Sequence, residues 1–164
     1  SMIHSDTLER PASGRTEAEI VSALHRARAL AERSGARFTR IREHVYRALL
    51  RAPQPVGAYD ILDTLDGVGA QKPPTVYRAL DWLMEMGLAH RIATVSKFVA
   101  VPDDRADRPV AYLLCRQCGE ARTLDAAPLA ASLTLAVRDT GFRKDDAVIE
   151  ITGLCDGHAR AAAR

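Results

Sequence analysis

The chain has 164 residues, 47% of them hydrophobic and 27% charged, with Lys and Arg at 23 against Asp and Glu at 21, a formal net charge of +2. That length holds one core or two small ones, and the near-neutral total does not by itself announce a nucleic-acid binder. No run approaches the roughly 18 unbroken apolar residues of a membrane span, and the Arg- and Glu-bearing start lacks an apolar signal segment. A membrane protein, a secreted disulfide scaffold and a disordered chain are therefore excluded, and a cytoplasmic location is expected.

Residues 1–15 read as a flexible lead-in that opens on a cleavage scar, Ser1-Met2. From Thr16 the pattern turns helical, with Ile20, Leu24, Ala27, Leu30 and Ala31 at three- and four-residue steps. Thr16 with Glu19 has capping-box spacing, and Gly35 ends the helix. Thr39 caps a second helix, whose expected buried stripe is Ile41, Val45, Ala48 and Leu49, until Pro53 and Pro55 break it. Gly57 to Asp66 predicts a short third helix on Ile61, Leu62 and Leu65, closed by Gly67 and Gly69. Lys72-Pro73-Pro74-Thr75 opens a fourth, since proline is tolerated where first-turn amides have no intrahelical partner. Val76, Leu80, Leu83 and Met84 form its apolar stripe, with Trp82 also apolar, and Gly87 ends it. Two β-like runs follow, Ala89–Thr94 and Lys97–Val101, meeting in a tight turn at Val95-Ser96.

Helices followed by a hairpin over 16–101 predict a winged helix-turn-helix, a fold that lays its last helix in the major groove of double-stranded DNA. Between residues 26 and 51 stand Arg26, Arg28, Arg33, Arg37, Arg40, Arg42, Arg47 and Arg51, opposed by Glu32 and Glu43, a local excess of six positive charges. A basic cluster of this kind is the footprint of phosphate binding or a solvated helical face. The polar stretch 102–109 reads as a hinge. Beyond it, 110–164 reads as strand, strand, helix, strand: Val110–Leu114, Glu120–Leu124, Leu129 to Thr140 and Ala147–Thr152. The fold class is α+β.

All three cysteines lie in this second half, as Cys115-Arg116-Gln117-Cys118-Gly119 and Cys155-Asp156-Gly157-His158. A Cys-x-x-Cys knuckle with a later Cys-x-x-His pair is the spacing of a closed tetrahedral zinc site. Soft thiolates with an imidazole suit Zn2+ better than magnesium or calcium. Four protein ligands leave no open position, so the metal is expected to be structural and the protein not an enzyme. A redox Cys-x-x-Cys and simple burial of the thiols are the competing readings, and water in place of His158 is the fallback.

These residues resemble the ferric uptake regulator family, most closely its zinc uptake regulator branch. Phe38-Thr39-Arg40-Ile41-Arg42 is similar to the family's Thr-Pro-Gln-Arg helix start. Ala58-Tyr59-Asp60-Ile61-Leu62 resembles the branch's Ala-Tyr-Asp-Leu-Leu helix. Lys72 through Asp81 nearly matches its recognition helix, and Cys115-x-x-Cys118-Gly119 with Ile149-Glu150-x-x-Gly153-x-Cys155 resembles its structural-zinc strands. The likeness runs from about residue 17 to 158. It implies a homodimeric, metal-linked repressor of metal homeostasis genes, with 110–164 as the dimerisation domain. Tyr77 and Arg78 would then reach the major groove, where Arg can bind guanine O6 and N7. Arg42, Lys72 and Thr75 become expected phosphate contacts.

The chain departs from the branch at the sensing metal. His90 matches the family's histidine after the recognition helix, but Val101, Arg108 and Thr123 stand near its other ligand positions. Either a regulatory metal is rebuilt from His90 with Asp103, Asp104 or Asp107, or the sensor is lost and one structural zinc per chain remains. The leading expectation is a sequence-specific repressor binding its DNA operator. The alternative is a redox or peroxide regulator acting through zinc-bound thiolates. A zinc hydrolase and a zinc-stapled interaction module complete the field.

Overall fold

The structure is a computed structural model describing residues 10–11, 15–65, 72–101 and 109–164. The chain divides into two compact units, one over Ser13–Asp103 and the other over Asp104–Arg164 with Ser1–Ala12.

In the first unit α1 spans Glu17–Arg33, and both halves of its capping box are present. The Thr16 hydroxyl accepts the Glu19 amide at 3.2 Å while the Glu19 carboxylate accepts the Thr16 amide at 3.1 Å. Helix α2 (Arg40–Arg51) is capped by the Thr39 hydroxyl, which accepts the Arg42 amide at 3.3 Å. Its buried face is Val45, Tyr46, Leu49 and Leu50, rotated from the expected stripe: Ile41 and Ala48 are only half-buried. The largest side chain takes the interior, so Tyr46 displaces the small Ala48. Helix α3 covers Ala58–Asp63, stopping short of Asp66, and the next residue but one, Leu65, is buried beyond it. The glycines expected to close it, Gly67 and Gly69, lie outside the described residues.

Helix α4 (Pro73–Glu85) buries Val76, Ala79, Leu80, Trp82 and Leu83. Its stop is Gly87, at φ +72°, a backbone conformation that side chains resist. The chain then enters the wing, β2 (Ala89–Ile92) antiparallel to β3 (Lys97–Ala100), with Ala89 opposite Ala100 and Ile92 opposite Lys97. The strands are shorter than expected because Ala93–Val95 wind into a 3-10 turn and Ser96 closes it at φ +50°. Val56 joins the wing as an isolated bridge, exchanging backbone hydrogen bonds of 3.0 and 2.8 Å with Phe98. Ile20, Leu24, Leu49, Leu50, Ile61, Leu80, Leu83 and Phe98 share one core, so α4 is buried on one side and exposed on the other.

The second unit is a four-stranded sheet in the order β1 (Arg10–Pro11), β5 (Ala121–Asp125), β4 (Val110–Cys115), β6 (Val148–Gly153). Strand β4 (Val110–Cys115) is central and almost continuously buried, as expected of a strand covered on both faces. It pairs antiparallel with β5 (Ala121–Asp125) and parallel with β6 (Val148–Gly153). Helix α5 (Ala127–Arg138) carries the crossover between β5 and β6. Within the lead-in expected to be flexible, Arg10–Pro11 form a short strand, β1, on the edge of β5. A last helix, α6 (Asp156–Ala162), forms where the sequence reads as an Ala- and Arg-rich tail. Alanine and arginine are strong helix formers, and that signal was available without any apolar periodicity.

Candidate metal centre and nucleic-acid interface

Parallel pairing of β4 with β6 sets Cys115 opposite Gly153, so both strands end at the same edge of the sheet. From that edge the chain turns twice. After Cys115 a knuckle closes with the Gly119 amide donating to the Cys115 carbonyl at 2.9 Å and the Cys115 amide donating to the Glu120 carbonyl at 2.9 Å. Gly119 sits at φ +74°, and the turn needs that left-handed residue. After Gly153 the chain turns into α6, with Cys155 as its N-cap and His158 in its first turn. The Arg116 amide donates to the Gly153 carbonyl at 2.9 Å, tying the two turns together.

The ligand atoms of Cys115, Cys118, Cys155 and His158 all lie within 4.8 Å of one another. Cys118 Sγ is 3.9 Å from Cys155 Sγ, and His158 Nδ1 is 3.7 Å from Cys115 Sγ and 3.1 Å from Cys155 Sγ. A tetrahedral zinc with Zn–S near 2.3 Å and Zn–N near 2.0 Å requires edges of roughly 3.5–3.8 Å, so the donor set fits the ion in type, number and spacing.

The thiols are unequal. Cys115 is pulled down to about 5, first by the Cys118 backbone amide, then by that of Cys155, against some desolvation. At Cys118 the Glu120 amide pulls the other way from the net effect; the Cys115 sulfur, desolvation and the Cys155 sulfur outweigh it and push that thiol up. Three thiolates this close repel one another, and a divalent cation removes the conflict. Beside them Arg122 Nε donates to Glu120 Oε1 at 2.7 Å, holding the Glu120 carboxyl below its usual range.

On α4, Lys72 is the N-cap and is exposed, Thr75 donates its amide to the Lys72 carbonyl at 2.9 Å, and Tyr77 and Arg78 point outward, Tyr77 at 43% exposure. Of the arginine cluster, several members are engaged within the unit. Arg28 and Arg47 both reach Glu43 at 3.1 Å, and Arg51 reaches Glu17 at 3.3 Å. Arg42 lies over the Trp82 ring at 4.4 Å and donates from Nη1 to the Arg37 carbonyl at 2.6 Å. Phe38 stacks on Trp82 with centroids 5.8 Å apart. Sequence reading missed this stack: Phe38 and Trp82 are 44 positions apart, and periodicity reports only which residues are apolar.

His90 is half-buried on β2 opposite Val99. Asp103, Asp104 and Asp107, its expected partners, lie outside the described residues, as does Arg108. Val101 and Thr123, at two of the family's ligand positions, are half-buried and offer no strong ligand. Among the described residues, the Cys115, Cys118, Cys155 and His158 cluster is the metal-ligand group present, and no helix is long and apolar enough to cross a membrane.

The chain matches the family described as Ferric uptake regulator family over residues 33–152. It is 32% identical over 134 residues to the zinc uptake regulation protein of Escherichia coli (strain K12), covering 80% of this chain and 78% of that one. Its fold is similar to a zinc uptake regulator complexed with zinc and DNA (TM-score 0.76, 28% identity, 92% of this chain and 100% of the other). It is similar as well to the holo form of XcZur (TM-score 0.70, 34% identity, 85% and 98%). The Helicobacter pylori ferric uptake regulator shares the fold at 15% identity and a TM-score of 0.60, over 92% of this chain and 96% of its own.

Proposed function

Because the chain belongs to the ferric uptake regulator family, we propose that it is a sequence-specific repressor of metal homeostasis genes. In this reading it binds double-stranded DNA as a homodimer fastened by one structural zinc per chain. It is a regulator of this family and not an enzyme, and zinc binding accords with both its Cys/His cluster and its zinc-regulator relatives. The oxidation-responsive alternative is not supported. The relatives named above at 28% identity and higher are zinc uptake regulators, and all three cysteines belong to one ligand cluster, with no separate thiol left as a sensor.

The observation that carries the reading is the two-sidedness of α4. Val76, Leu80 and Leu83 are buried, while Tyr77 and Arg78 stand exposed just after the helix start. A helix whose N-terminal residues project from a packed scaffold can enter the major groove. There Arg78 would pair with guanine and Tyr77 would contact a thymine methyl or phosphate. Lys72 and Thr75 at the helix start would set register on the backbone. Dimerisation is supported by the second unit, where Leu135, Phe142 and Ile151 are 52%, 72% and 43% exposed. Helix α5 has no buried residue, an arrangement that a second copy would complete.

The sensing function is reduced in this reading. His90 alone remains of the family's sensing ligands among the described residues, so zinc and packing hold the DNA-competent form without a second metal. Substituting Arg78→Ala tests the core of the proposal. Binding to a selected operator should weaken by about 1–3 kcal/mol and lose base preference at one position. Unchanged operator affinity would leave a zinc-stapled interaction module in its place.

A further inference from the structure

By its place after the α2 cap, Arg42 reads as a phosphate contact, but its surroundings assign it other work. We propose that Arg42 is a positioning residue. By stacking on Trp82 it sets the roll of α4 and therefore the base step read by Tyr77 and Arg78, a role that rests on the DNA-binding reading above.

Trp82 lies four residues beyond Arg78 and is 8% exposed, so its ring is fixed in the core. Two groups flanking the α2 cap meet that ring: Phe38, stacked at an interplanar angle of 25°, and the Arg42 guanidinium, 4.4 Å from the centroid. Phe38 is held in turn by the edge of Tyr46 at 6.5 Å and by Arg28 at 6.0 Å, and Arg28 is tied to Glu43 at 3.1 Å. The chain of contacts therefore runs from α1 and α2 into α4. Arg42 also donates to the Arg37 carbonyl at 2.6 Å, which fixes the plane of its guanidinium. The ring and the carbonyl together hold the guanidinium in place, whatever its remaining N–H groups meet. A flat guanidinium suits this place and a point-charge ammonium does not. Bidentate pairing with guanine tolerates little displacement, so a small roll of α4 is felt at Arg78 as lost discrimination.

The two roles separate by measurement. The probe is a duplex selected from a random-sequence pool by the wild-type protein. Its partner is the same duplex changed at the base pair most sensitive to Arg78→Ala. Affinity for both is measured across salt concentrations for wild type, Arg42→Ala, Arg42→Lys and Phe38→Leu. The ratio of the two affinities does not depend on how much protein is folded, so general destabilisation leaves it unmoved. The expected result is a ratio lowered about tenfold in all three variants, with the salt slope as in wild type. A slope reduced by about 0.9, the value of one phosphate contact on B-DNA, with the ratio intact in Arg42→Ala and wild-type behaviour in Arg42→Lys, would overturn it. So would a ratio unchanged in every variant. If the wild type enriches no sequence from the pool, the DNA-binding reading itself fails, and this role fails with it.

Discussion

His158 Nδ1 lies 3.1 Å from Cys155 Sγ because the chain starts α6 between them, with Cys155 as the cap and His158 one turn in. A helix start thus turns a three-residue spacing into a pair of ligands, and the zinc is expected to hold α6 as much as α6 holds the zinc. The ligands should differ in what their loss does. Cys118→Ser removes a thiolate from the knuckle and is expected to abolish tight zinc binding. His158→Ala leaves three thiolates and room for water, and should keep the metal at an affinity lowered beyond the roughly 10–100-fold cost of losing an outer-shell partner. Metal content after dialysis against a weak chelator distinguishes the two.

Zinc stoichiometry tests the proposed loss of the sensing site. The protein is expected to carry one tight zinc per chain, and mild chelation that leaves it in place should leave operator binding intact. Strong chelation should unfold the second unit, because the metal supplies folding free energy that a small core cannot. Metal analysis with far-ultraviolet circular dichroism checks both, and two tight zincs per chain would contradict the reading.

Gly119 offers a test of the knuckle that leaves the ligands untouched. At φ +74°, with nothing within 4 Å of where a Cβ would stand, an alanine there meets only backbone strain. The cost should be about 1–2 kcal/mol, seen as roughly tenfold weaker zinc binding in competition with a chelator.

The exposed apolar face of the second unit predicts its own disruption. Leu135 on α5 is 52% exposed in the single chain. Leu135→Glu would place an unpaired carboxylate inside the interface with a second copy, at a cost of several kcal/mol. Its dimer dissociation constant should rise by about 100-fold or more. Sedimentation at micromolar concentration should show monomer for the variant and dimer for wild type, with zinc content unchanged.

Local signals carried much of the architecture. Thr16 with Glu19, and Thr39, announced two helix starts that the structure forms as capped ends. Pro73 and Gly87 bracketed α4, since both act through backbone sterics that operate wherever they stand. Where a choice depended on what lay opposite, the reading drifted. Tyr46, not Ile41 or Ala48, is buried on α2 because core volume, not periodicity, selects the face.

The sequence by itself determined the Cys and His donor types, the residues at the start of α4 and the order of elements from α1 to β6, all of which follow from residue identity and short spacings. Only the tertiary structure decided that β6 runs parallel to β4, bringing Cys155 and His158 to Cys115 across some 40 positions. It alone decided that the Arg42 guanidinium rests on an indole instead of standing free. Both are contacts between residues far apart in the chain, made by packing that a linear pattern does not encode.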